Sequence, residues 1–192
     1  MREFIKMRLL QNILKEVTQK YDEFIQEQQD IIDLTFEKAI KDPLTKLYNR
    51  QYFFDFLQKA LEKLKRTKQK GFIIFMDLDN FKTVNDTLGH ERGDTVLKDF
   101  SRILTTHFRG YDVIARYGGD EFLAYVENKD KETIRKRLKE LNQIVTEHFK
   151  TLRISVSCGI STFPDDATEV QDLINMADNK MYENKKKKKT KR

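Results

Sequence analysis

A β-hairpin is predicted with particular clarity over residues 112–127, DVIARYGGDEFLAYVE. Two short runs rich in apolar and β-branched residues flank a pair of glycines, Gly118 and Gly119, and this pattern is typical of two antiparallel strands joined by a tight turn. Two carboxylates, Asp120 and Glu121, follow the glycines directly. We therefore expect an acidic hairpin tip, which is either a ligand site or an ordinary exposed polar turn.

Helix and strand patterns alternate on either side of this hairpin. The run FIIFMDLD after Gly71 predicts a strand that is buried on both faces and ends in acids, and residues 153–162 predict another strand. Apolar periodicity predicts helices over 51–68, 93–107, 130–149 and 170–184, with an irregular segment or short helix over 80–89. This order predicts an α/β (α+β) fold with a mixed or antiparallel sheet and flanking helices.

Residues 3 to about 40 lack glycine and proline and predict one long helix that ends before Asp42-Pro43. Apolar residues step by three and four, which is typical of a coiled-coil seam. That seam consists of Met7, Leu10, Leu14, Val17, Tyr21, Phe24, Gln28 and Ile31, and Ile5, Leu9, Ile13, Ile25 and Ile32 widen it. We expect residues 1–41 to form a self-associating helix, the alternative being a helix packed on its own domain.

The charge distribution argues against a nucleic-acid-binding surface. The net charge is +6, and the last eight residues, KKKKKTKR, carry seven positive charges, which leaves −1 for residues 1–184. The basic character therefore belongs to the tail, and we expect residues 186–192 to be a disordered, solvated end. A body that is nearly neutral does not support a nucleic-acid partner.

Apolar and cysteine content exclude further classes of protein. The longest uninterrupted apolar run is FIIFM, residues 72–76, far short of the roughly 20 residues that a membrane helix requires. The first residues carry frequent charges and lack a small-residue cleavage site, so they do not predict a secretory signal. The single cysteine, Cys158, excludes an intramolecular disulfide and suits a reducing cytosol. We expect a cytoplasmic protein without a membrane segment.

Carboxylates at the end of the buried strand could join those of the hairpin tip. Asp77 and Asp79 close the FIIFMDLD strand, and chemistry in α/β sheets is concentrated at strand ends and in the loops beyond them. If the hairpin pairs beside this strand, Asp77, Asp120 and Glu121 form a cluster of hard oxygen ligands. Such a cluster suits Mg²⁺, which takes few carboxylates and is completed by water and substrate phosphates.

Five segments in order resemble successive motifs of the GGDEF-domain diguanylate cyclases. They are DPLTKLYNR (42–50), FMDLDNFKTVNDTLGHERGDTVL (75–97), RGYDVIARYGGDEF (109–122), SCGIS (157–161) and ADNKMYENK (177–185). The resemblance covers about residues 40–185, and it implies a catalytic domain over 42–185 with a fold similar to the palm of nucleotide cyclases and polymerases.

The resemblance also implies a reaction and a metal site. Members of the family condense two GTP molecules into cyclic di-GMP and release pyrophosphate. Asp77 and Asp120 resemble the metal-binding side chains, with the Leu78 carbonyl as a further ligand. Glu121 resembles the second signature acid, which binds metal or activates the 3′-hydroxyl, and the sequence leaves open which acid is the base. Two Mg²⁺ ions per site, replaceable by Mn²⁺, would neutralise the triphosphate.

Further positions match the nucleotide-binding residues of the family. Asn85 and Asp94 match the guanine-reading positions, and a carboxylate can accept from the guanine N1 and N2 hydrogens. In isolation they would be read as a turn asparagine and a helix-start aspartate. Lys82, a catalytic-site candidate, and Lys185 match phosphate-contacting positions, although either alone would be read as a solvated lysine. The amides of Asn80 and Phe81 are expected to face the phosphates, and Gly118 and Gly119 to leave room for GTP.

An Arg-x-x-Asp pair, Arg109 and Asp112, lies just upstream of the hairpin glycines. Its position matches the inhibitory site at which the family binds its own product, although a helix-end salt bridge is the plain alternative.

The C-terminus departs from the family, because KKKKKTKR replaces a Gly-Arg-Asn-type turn and a last short strand. Lys189 falls where an arginine usually contacts phosphate.

The symmetry of the implied product predicts a homodimer. Each domain would hold one GTP, so two domains must face each other, and the N-terminal helix would set their register.

The leading interpretation is an active, Mg²⁺-dependent cyclase with product inhibition. A non-catalytic cyclic di-GMP receptor that uses Arg109 and Asp112 is the main alternative, and a polymerase-like or nucleic-acid-binding enzyme is disfavoured by the near-neutral body.

Overall fold

The computed structural model describes residues 1–127 and 130–190, with the side chain of Lys189 excepted. The chain divides into two compact units, Met1–Ala39 and a second unit that begins at Ile40. In the part of the chain so described, no helix is long and apolar enough to cross a lipid bilayer.

The first unit is one helix. α1 runs over Arg2–Ile40, as the sequence predicts, and its 39 residues span roughly 58 Å at about 1.5 Å per residue. None of its residues is buried, and the apolar side chains of both predicted sets are exposed. α1 therefore presents a long exposed apolar stripe, which a stable soluble helix usually covers.

The second unit is built on a four-stranded sheet in the order β2-β3-β1-β4, in which all neighbouring strands are antiparallel. The strands are β1 (Gly71–Asp79), β2 (Val113–Gly118), β3 (Glu121–Glu127) and β4 (Ser155–Phe163). β1 occupies the centre, and all of its residues except Asp77 are buried, which explains its continuous apolar run. The predicted hairpin and α+β class are confirmed, and the sheet is antiparallel.

Helices cover both faces of the sheet in the described part of this unit. They are α2 (Arg50–Thr67), α3 (Phe81–Leu88), α4 (His90–His107), α5 (Lys131–His148) and α6 (Val170–Thr190), and a 3-10 turn over Lys150–Leu152 precedes β4. One apolar core joins α3, α4 and α5 to the sheet, and the other joins α2 and α6 to the opposite face. Two separate cores on one sheet fix the strand ends at which the candidate residues lie.

The structure settles one segment that the sequence left open, and it moves the ends of two helices by three residues or more. Residues 81–88 form a helix, which settles the segment that the sequence left as irregular or helical. α4 begins at His90, three residues before the predicted start. α6 ends at Thr190, beyond the predicted end at Asn184, so the predicted disordered tail is helical as far as Thr190. Lysine is a good helix former, and Lys188 donates to Asp79 and to the Val156 carbonyl, contacts that the sequence does not reveal. Residues 191 and 192 lie outside the described residues.

The outer edge of β4 is covered by side chains. Asn142 accepts a hydrogen bond from the Val156 N–H at 3.1 Å, and Lys188 donates to the Val156 carbonyl at 2.7 Å. Asn184 donates to the Cys158 carbonyl at 3.0 Å. Outward-facing main-chain groups of this edge strand are thus satisfied from α5 and α6.

Candidate active site

Two predicted acids lie directly opposite each other in the sheet. Asp77, near the end of β1, pairs in register with Glu121, the first residue of β3. Asp120 immediately precedes Glu121 in the turn, and its carbonyl accepts a hydrogen bond from the Leu78 N–H at 3.3 Å. The register of the sheet therefore brings the strand-end acid and both hairpin acids to the same end of β1 and β3, as the hairpin pattern predicts.

The hairpin tip is held in place by a residue that the sequence analysis did not single out. Arg116 donates through Nε and Nη2 to the Gly119 carbonyl at 3.0 and 2.9 Å, and through Nη1 to both carboxylate oxygens of Asp42 at 3.2 Å. Gly119 has φ of +52°, a conformation that costs a glycine little. The turn that carries Asp120 is thus fastened to the segment that follows α1.

Asp42 and Arg116 form a largely buried ion pair, with side chains that are 17% and 16% exposed. Burial raises the pKa of Asp42, but hydrogen bonds from Thr45 and the charge of Arg116 outweigh it and hold the pKa below its usual value. Both residues belong to motifs of the family resemblance, DPLTKLYNR and RYGGDEF. Their partnership across 74 positions is information that only the fold supplies.

The two opposed acids resist ionisation. Burial is the main cause that raises the pKa of Asp77, and the charges of Asp120 and Asp79 add to it against the lowering effect of Lys185. Burial likewise raises the pKa of Glu121, with Asp77, Asp178 and Asp120 as further causes. Asp178, in the ADNKMYENK segment of α6, was not predicted to belong here. An acidic cluster with raised pKa values is typical of a functional site that awaits a cation.

Lys185 is the cation nearest to these acids. Its ammonium donates to Asp77 Oδ1, and the two side chains are 24% and 13% exposed. Burial lowers the pKa of Lys185, but the hydrogen bond and charge of Asp77 outweigh it and raise the pKa above its usual value. The lysine is therefore charged at neutral pH, and the residue predicted to contact phosphate lies against the predicted metal ligand.

A cavity of about 260 Å³ opens beside the acids. It is bounded by the start of α3, the ends of β1 and β4 and the last turns of α6. Its lining comprises Leu78, Asp79, Asn80, Phe81, Lys82, Thr83, Asp120, Ser155, Lys185 and Lys188. Six of the predicted site residues therefore share one cavity, and the helix start and three lysines give it an affinity for anions.

The turn between β1 and α3 places the helix start in this cavity. Asn80 has φ of +67°, which asparagine tolerates better than most residues, and its Nδ2 donates to the Arg153 carbonyl at 2.8 Å. No side chain of the described residues caps the helix at Asn80. The first amides of α3 are therefore available to an anion, and phosphate contact by the amides of Asn80 and Phe81 stays a prediction.

The predicted guanine positions lie on α3 and α4. Asn85 fits against Gly93, where a Cβ would clash with Asn85 Oδ1, and Asp94 is the next residue and is exposed. Asn85 Oδ1 is buried and has no hydrogen-bond partner among the described residues. A buried acceptor without a donor is costly, so this oxygen is suited to accept from a ligand N–H.

The predicted inhibitory residues lie between α4 and β2, and they do not pair through their side chains. Asp112 Oδ2 accepts from the Arg109 N–H and from Arg137 Nη1, both at 2.9 Å, while Arg109 donates to the Tyr111 hydroxyl. Asp112 therefore forms an ion pair with Arg137 and not with Arg109. Arg137 also stacks on the Phe108 ring at 4.7 Å, and nothing in the sequence marks it. Asp112 Oδ1 is buried without a partner in the described part of the chain.

The donor chemistry of the site fits a divalent cation. Among the described residues, no three histidine, cysteine or carboxylate side chains are close enough to enclose a metal ion on their own. Magnesium does not need such a cage, because one or two carboxylates suffice when water and substrate phosphates complete its shell. The Lys185 ammonium on Asp77 Oδ1 already shows that this carboxylate attracts a positive charge.

A larger groove of about 540 Å³ lies between α5 and α6, along the outer edge of β4. None of the predicted site residues lines it, whereas Lys188 borders both this groove and the smaller cavity. The groove is larger, but the smaller cavity is the candidate site because Asp120, Lys185 and the start of α3 line it.

Comparisons with known proteins agree on one family. A sequence profile described as "Diguanylate cyclase, GGDEF domain" matches residues 39–191. The chain therefore belongs to the GGDEF-domain diguanylate cyclase family, which confirms the resemblance inferred from the motifs.

Curated relatives include proteins with named cyclase domains. The bifunctional diguanylate cyclase/cyclic di-GMP phosphodiesterase MucR of Pseudomonas aeruginosa is 38% identical over 148 residues, which are 75% of this chain and 22% of the relative. Diguanylate cyclase A of Treponema denticola is 31% identical over 159 residues, 78% of this chain and 42% of the relative. The chain thus spans less than half the length of these relatives.

Solved structures share the fold. The coiled coil and GGDEF domain of DgcB from Caulobacter crescentus, in complex with c-di-GMP, aligns over 90% of this chain and 94% of its own with a TM-score of 0.80 at 24% identity. The GGDEF domain of DgcB alone, also with c-di-GMP, aligns over 77% of this chain and 91% of its own at 27% identity and a TM-score of 0.70.

Proposed function

We propose that this protein is a diguanylate cyclase that condenses two GTP molecules into cyclic di-GMP and two pyrophosphates. The observation that carries the proposal is the register pair Asp77–Glu121 next to Asp120, which lines a cavity formed by a helix start and lysines. Metal-binding acids next to an anion-binding helix start are what nucleotidyl transfer requires. The family and the named cyclase relatives support the same reaction.

The acids have two roles in this proposal. Asp77, Asp120 and the Leu78 carbonyl would hold Mg²⁺, two ions per site, and the metal would supply charge neutralisation at the phosphates. Glu121 either joins the metal ligands or accepts the proton of the 3′-hydroxyl. Its raised pKa brings it closer to the range in which a carboxylate can exchange a proton near neutral pH.

The remaining residues bind and orient GTP. Lys82, Lys185 and the amides of Asn80 and Phe81 contact the phosphates in the cavity. Asn85 and Asp94 contact the guanine, which is supported by the unpartnered Asn85 Oδ1. A Cβ at Gly118 or Gly119 would meet no described atom within 4 Å, so the space above the hairpin is open to the nucleotide.

Each new phosphodiester bond joins two nucleotides that are bound to different subunits. The 3′-oxygen of one GTP attacks the α-phosphorus of the other, the bond to the β-phosphate oxygen breaks, and the proton passes to a carboxylate. Because one unit holds one GTP, two copies must face each other as a C2 pair. The exposed apolar stripe of α1 supports association through this helix.

Product binding at Arg109 and Asp112 is the regulatory part of the proposal. The orphaned Asp112 Oδ1 can accept from a guanine N–H, and Arg109 is fully exposed for a phosphate. The same residues support the alternative function, a receptor that binds cyclic di-GMP without catalysis. The paired acids and the phosphate cavity favour the cyclase, since a receptor needs neither.

Chromatography of GTP and Mg²⁺ incubated with the protein tests the proposal. Cyclic di-GMP should accumulate, and Asp120→Ala and Asp77→Asn should reduce its rate by at least about 100-fold. Arg109→Ala should keep the initial rate and relieve the slowing at high product. An absence of turnover, together with cyclic di-GMP binding that is lost in Arg109→Ala, would establish the receptor instead. Turnover of ATP in preference to GTP would refute the roles of Asn85 and Asp94.

A further inference from the structure

One cation in the candidate site was not expected from the sequence motifs. Lys188 borders the phosphate cavity, and its ammonium donates to Asp79 Oδ2 at 3.2 Å and to the Val156 carbonyl at 2.7 Å. It reaches the site because α6 continues to Thr190. Residues three apart lie on the same face of a helix, so Lys188 joins Lys185 on the face that borders the cavity.

Asp79 does not need this lysine. Its carboxylate accepts from the Ser155 hydroxyl at 2.7 Å and from the Ser157 hydroxyl at 2.8 and 2.9 Å. Asp77 differs, because Lys185 is its only side-chain hydrogen-bond partner in the described part of the chain. An ammonium has three donors, so Lys188 can exchange Asp79 for another acceptor while it keeps its bond to the Val156 carbonyl, whereas departure of Lys185 would leave Asp77 to another cation.

The Lys188 side chain is also free to move. It is 40% exposed, against 12% for Asp79, and its flexible stem lets the ammonium act as a mobile point charge. A terminal phosphate in the cavity would carry more negative charge than Asp79. Transfer of the ammonium from a carboxylate that serines already satisfy to a phosphate would thus favour the bound state.

We propose that Lys188 is a phosphate-binding residue of the nucleotide site, which passes from Asp79 to a terminal phosphate when the nucleotide binds. The identity of the nucleotide as GTP rests on the proposed function, but the anion site does not. The resemblance to the family points to the next residue, Lys189, as the position of the phosphate-contacting arginine. Lys188 takes this contact in our proposal because it borders the cavity.

Calorimetric titration separates the two positions. The ligands are GTP with Mg²⁺, inorganic tripolyphosphate and GMP. The variants are Lys188→Ala, Lys188→Arg and Lys189→Ala. Lys187→Ala, on the exposed side of the helix, is the matched control. Lys188→Ala should weaken binding of GTP and tripolyphosphate by about tenfold and leave GMP unchanged, because GMP lacks terminal phosphates. Lys188→Arg should bind nearly as wild type, and so should Lys187→Ala and Lys189→Ala. Unchanged circular dichroism spectra would show that the helix is intact.

The proposal is overturned if Lys188→Ala binds tripolyphosphate as tightly as wild type, if GMP binding falls by the same factor, or if Lys189→Ala alone reproduces the loss. It is also overturned if wild type does not bind tripolyphosphate.

Failure of the proposed function looks different. In that case tripolyphosphate binding still depends on Lys188, but no cyclic dinucleotide forms from GTP. Formation of cyclic di-GMP with an unchanged KM in Lys188→Ala would refute the role of Lys188 alone.

Discussion

Gly93 of α4 provides the space that the Asn85 side chain of α3 occupies. A Cβ at position 93 would lie inside van der Waals contact with Asn85 Oδ1 and would also crowd the Phe81 ring. This glycine lies within the helix, where it costs about 1 kcal/mol relative to alanine. Gly93 weakens its own helix, and its presence is explained because it leaves room for the Asn85 side chain.

We therefore expect Gly93→Ala to impair recognition of guanine. The added methyl group should push Asn85 out of its position, and the affinity for GTP should fall by roughly tenfold while that for ATP changes little. Competition binding with both nucleotides measures the ratio. Gly110→Ala is the matched control, since a Cβ there would meet no described atom within 4 Å. A GTP-to-ATP preference equal to that of wild type would contradict the role given to Asn85.

Removal of the Arg116–Asp42 pair should destabilise the protein and slow its reaction. Arg116→Ala leaves a mostly buried carboxylate with fewer donors, so we expect a loss of about 1–3 kcal/mol in the free energy of unfolding. Denaturant titration measures this change. Arg102→Ala, which removes an exposed arginine paired with Asp99, should cost less than about 0.5 kcal/mol.

The contribution of Asp42 should also depend on pH. Its pKa is lowered in the folded state, so the stabilisation is fully present above the unfolded pKa and is lost as the pH falls through the folded pKa. Asp42→Asn should therefore be less stable than wild type at pH 7, and the difference should shrink below about pH 4. A difference that is constant from pH 7 to pH 3 would show that the charge of Asp42 is not what stabilises the tip.

Glu121→Gln should stabilise the fold while abolishing most of the reaction. The pKa of Glu121 is raised in the folded state, so its ionised form is disfavoured there at neutral pH by burial and by Asp77, Asp178 and Asp120. The neutral amide removes this penalty. The Tm should rise at pH 7–8, and the gain should vanish at acidic pH, where Glu121 is protonated in both states.

Calorimetric melting across pH tests that expectation, with Glu140→Gln on the exposed side of α5 as the control. If Glu121→Gln melts below wild type at pH 8 in the absence of metal, the acid is stabilised by its surroundings rather than strained by them.

Gly159→Ala should loosen α6. A Cβ at this position of β4 would run into the Ala177 carbonyl and the main chain of Met181, and backbone cannot yield as a side-chain end can. We expect a loss of about 1–3 kcal/mol or more in unfolding free energy, and a fall in turnover because α6 carries Lys185. Thermal melting and the turnover assay measure both effects. A variant as stable as wild type would mean that α6 can shift freely on the sheet.

Polar substitution of the α1 stripe should dissociate the protein. Leu10→Glu combined with Leu14→Glu places charges in the seam, and light scattering should then report a single chain, with turnover that falls at low protein concentration. Lys15→Glu changes a neighbouring charge without touching the seam and should leave association unchanged. Association that survives the double substitution, or removal of residues 1–38, would refute α1 as the contact.

Local patterns predicted most of the fold. The hairpin, the central strand and the long first helix follow from apolar periodicity and glycine placement, which act over a few residues. The same strand and hairpin predicted a cluster of Asp77, Asp120 and Glu121 if the hairpin pairs beside β1, and the observed register places Asp77 opposite Glu121. The cavity contains Asn80, Phe81, Lys82 and Lys185, which the family resemblance marked as phosphate-contacting positions.

Long-range partners could not be predicted in the same way. The ion pair of Arg116 with Asp42 and the contact of Arg137 with Asp112 depend on how helices pack on the sheet. The composition of the tail pointed to a disordered end, whereas contacts with buried oxygens let the lysines near its start continue α6. A run of lysines looks the same in sequence whether water or protein surrounds it.

The side chains that cover the edge of β4 also bear on assembly. An uncovered edge strand presents free amides and carbonyls to any extended segment, and two such edges can join into sheets that grow without limit. Asn142, Asn184 and Lys188 occupy these bonds from within the same chain. In the proposed dimer, a β4 edge occupied in this way would not compete with α1 for contact between copies, and it would hinder growth of the sheet from this side.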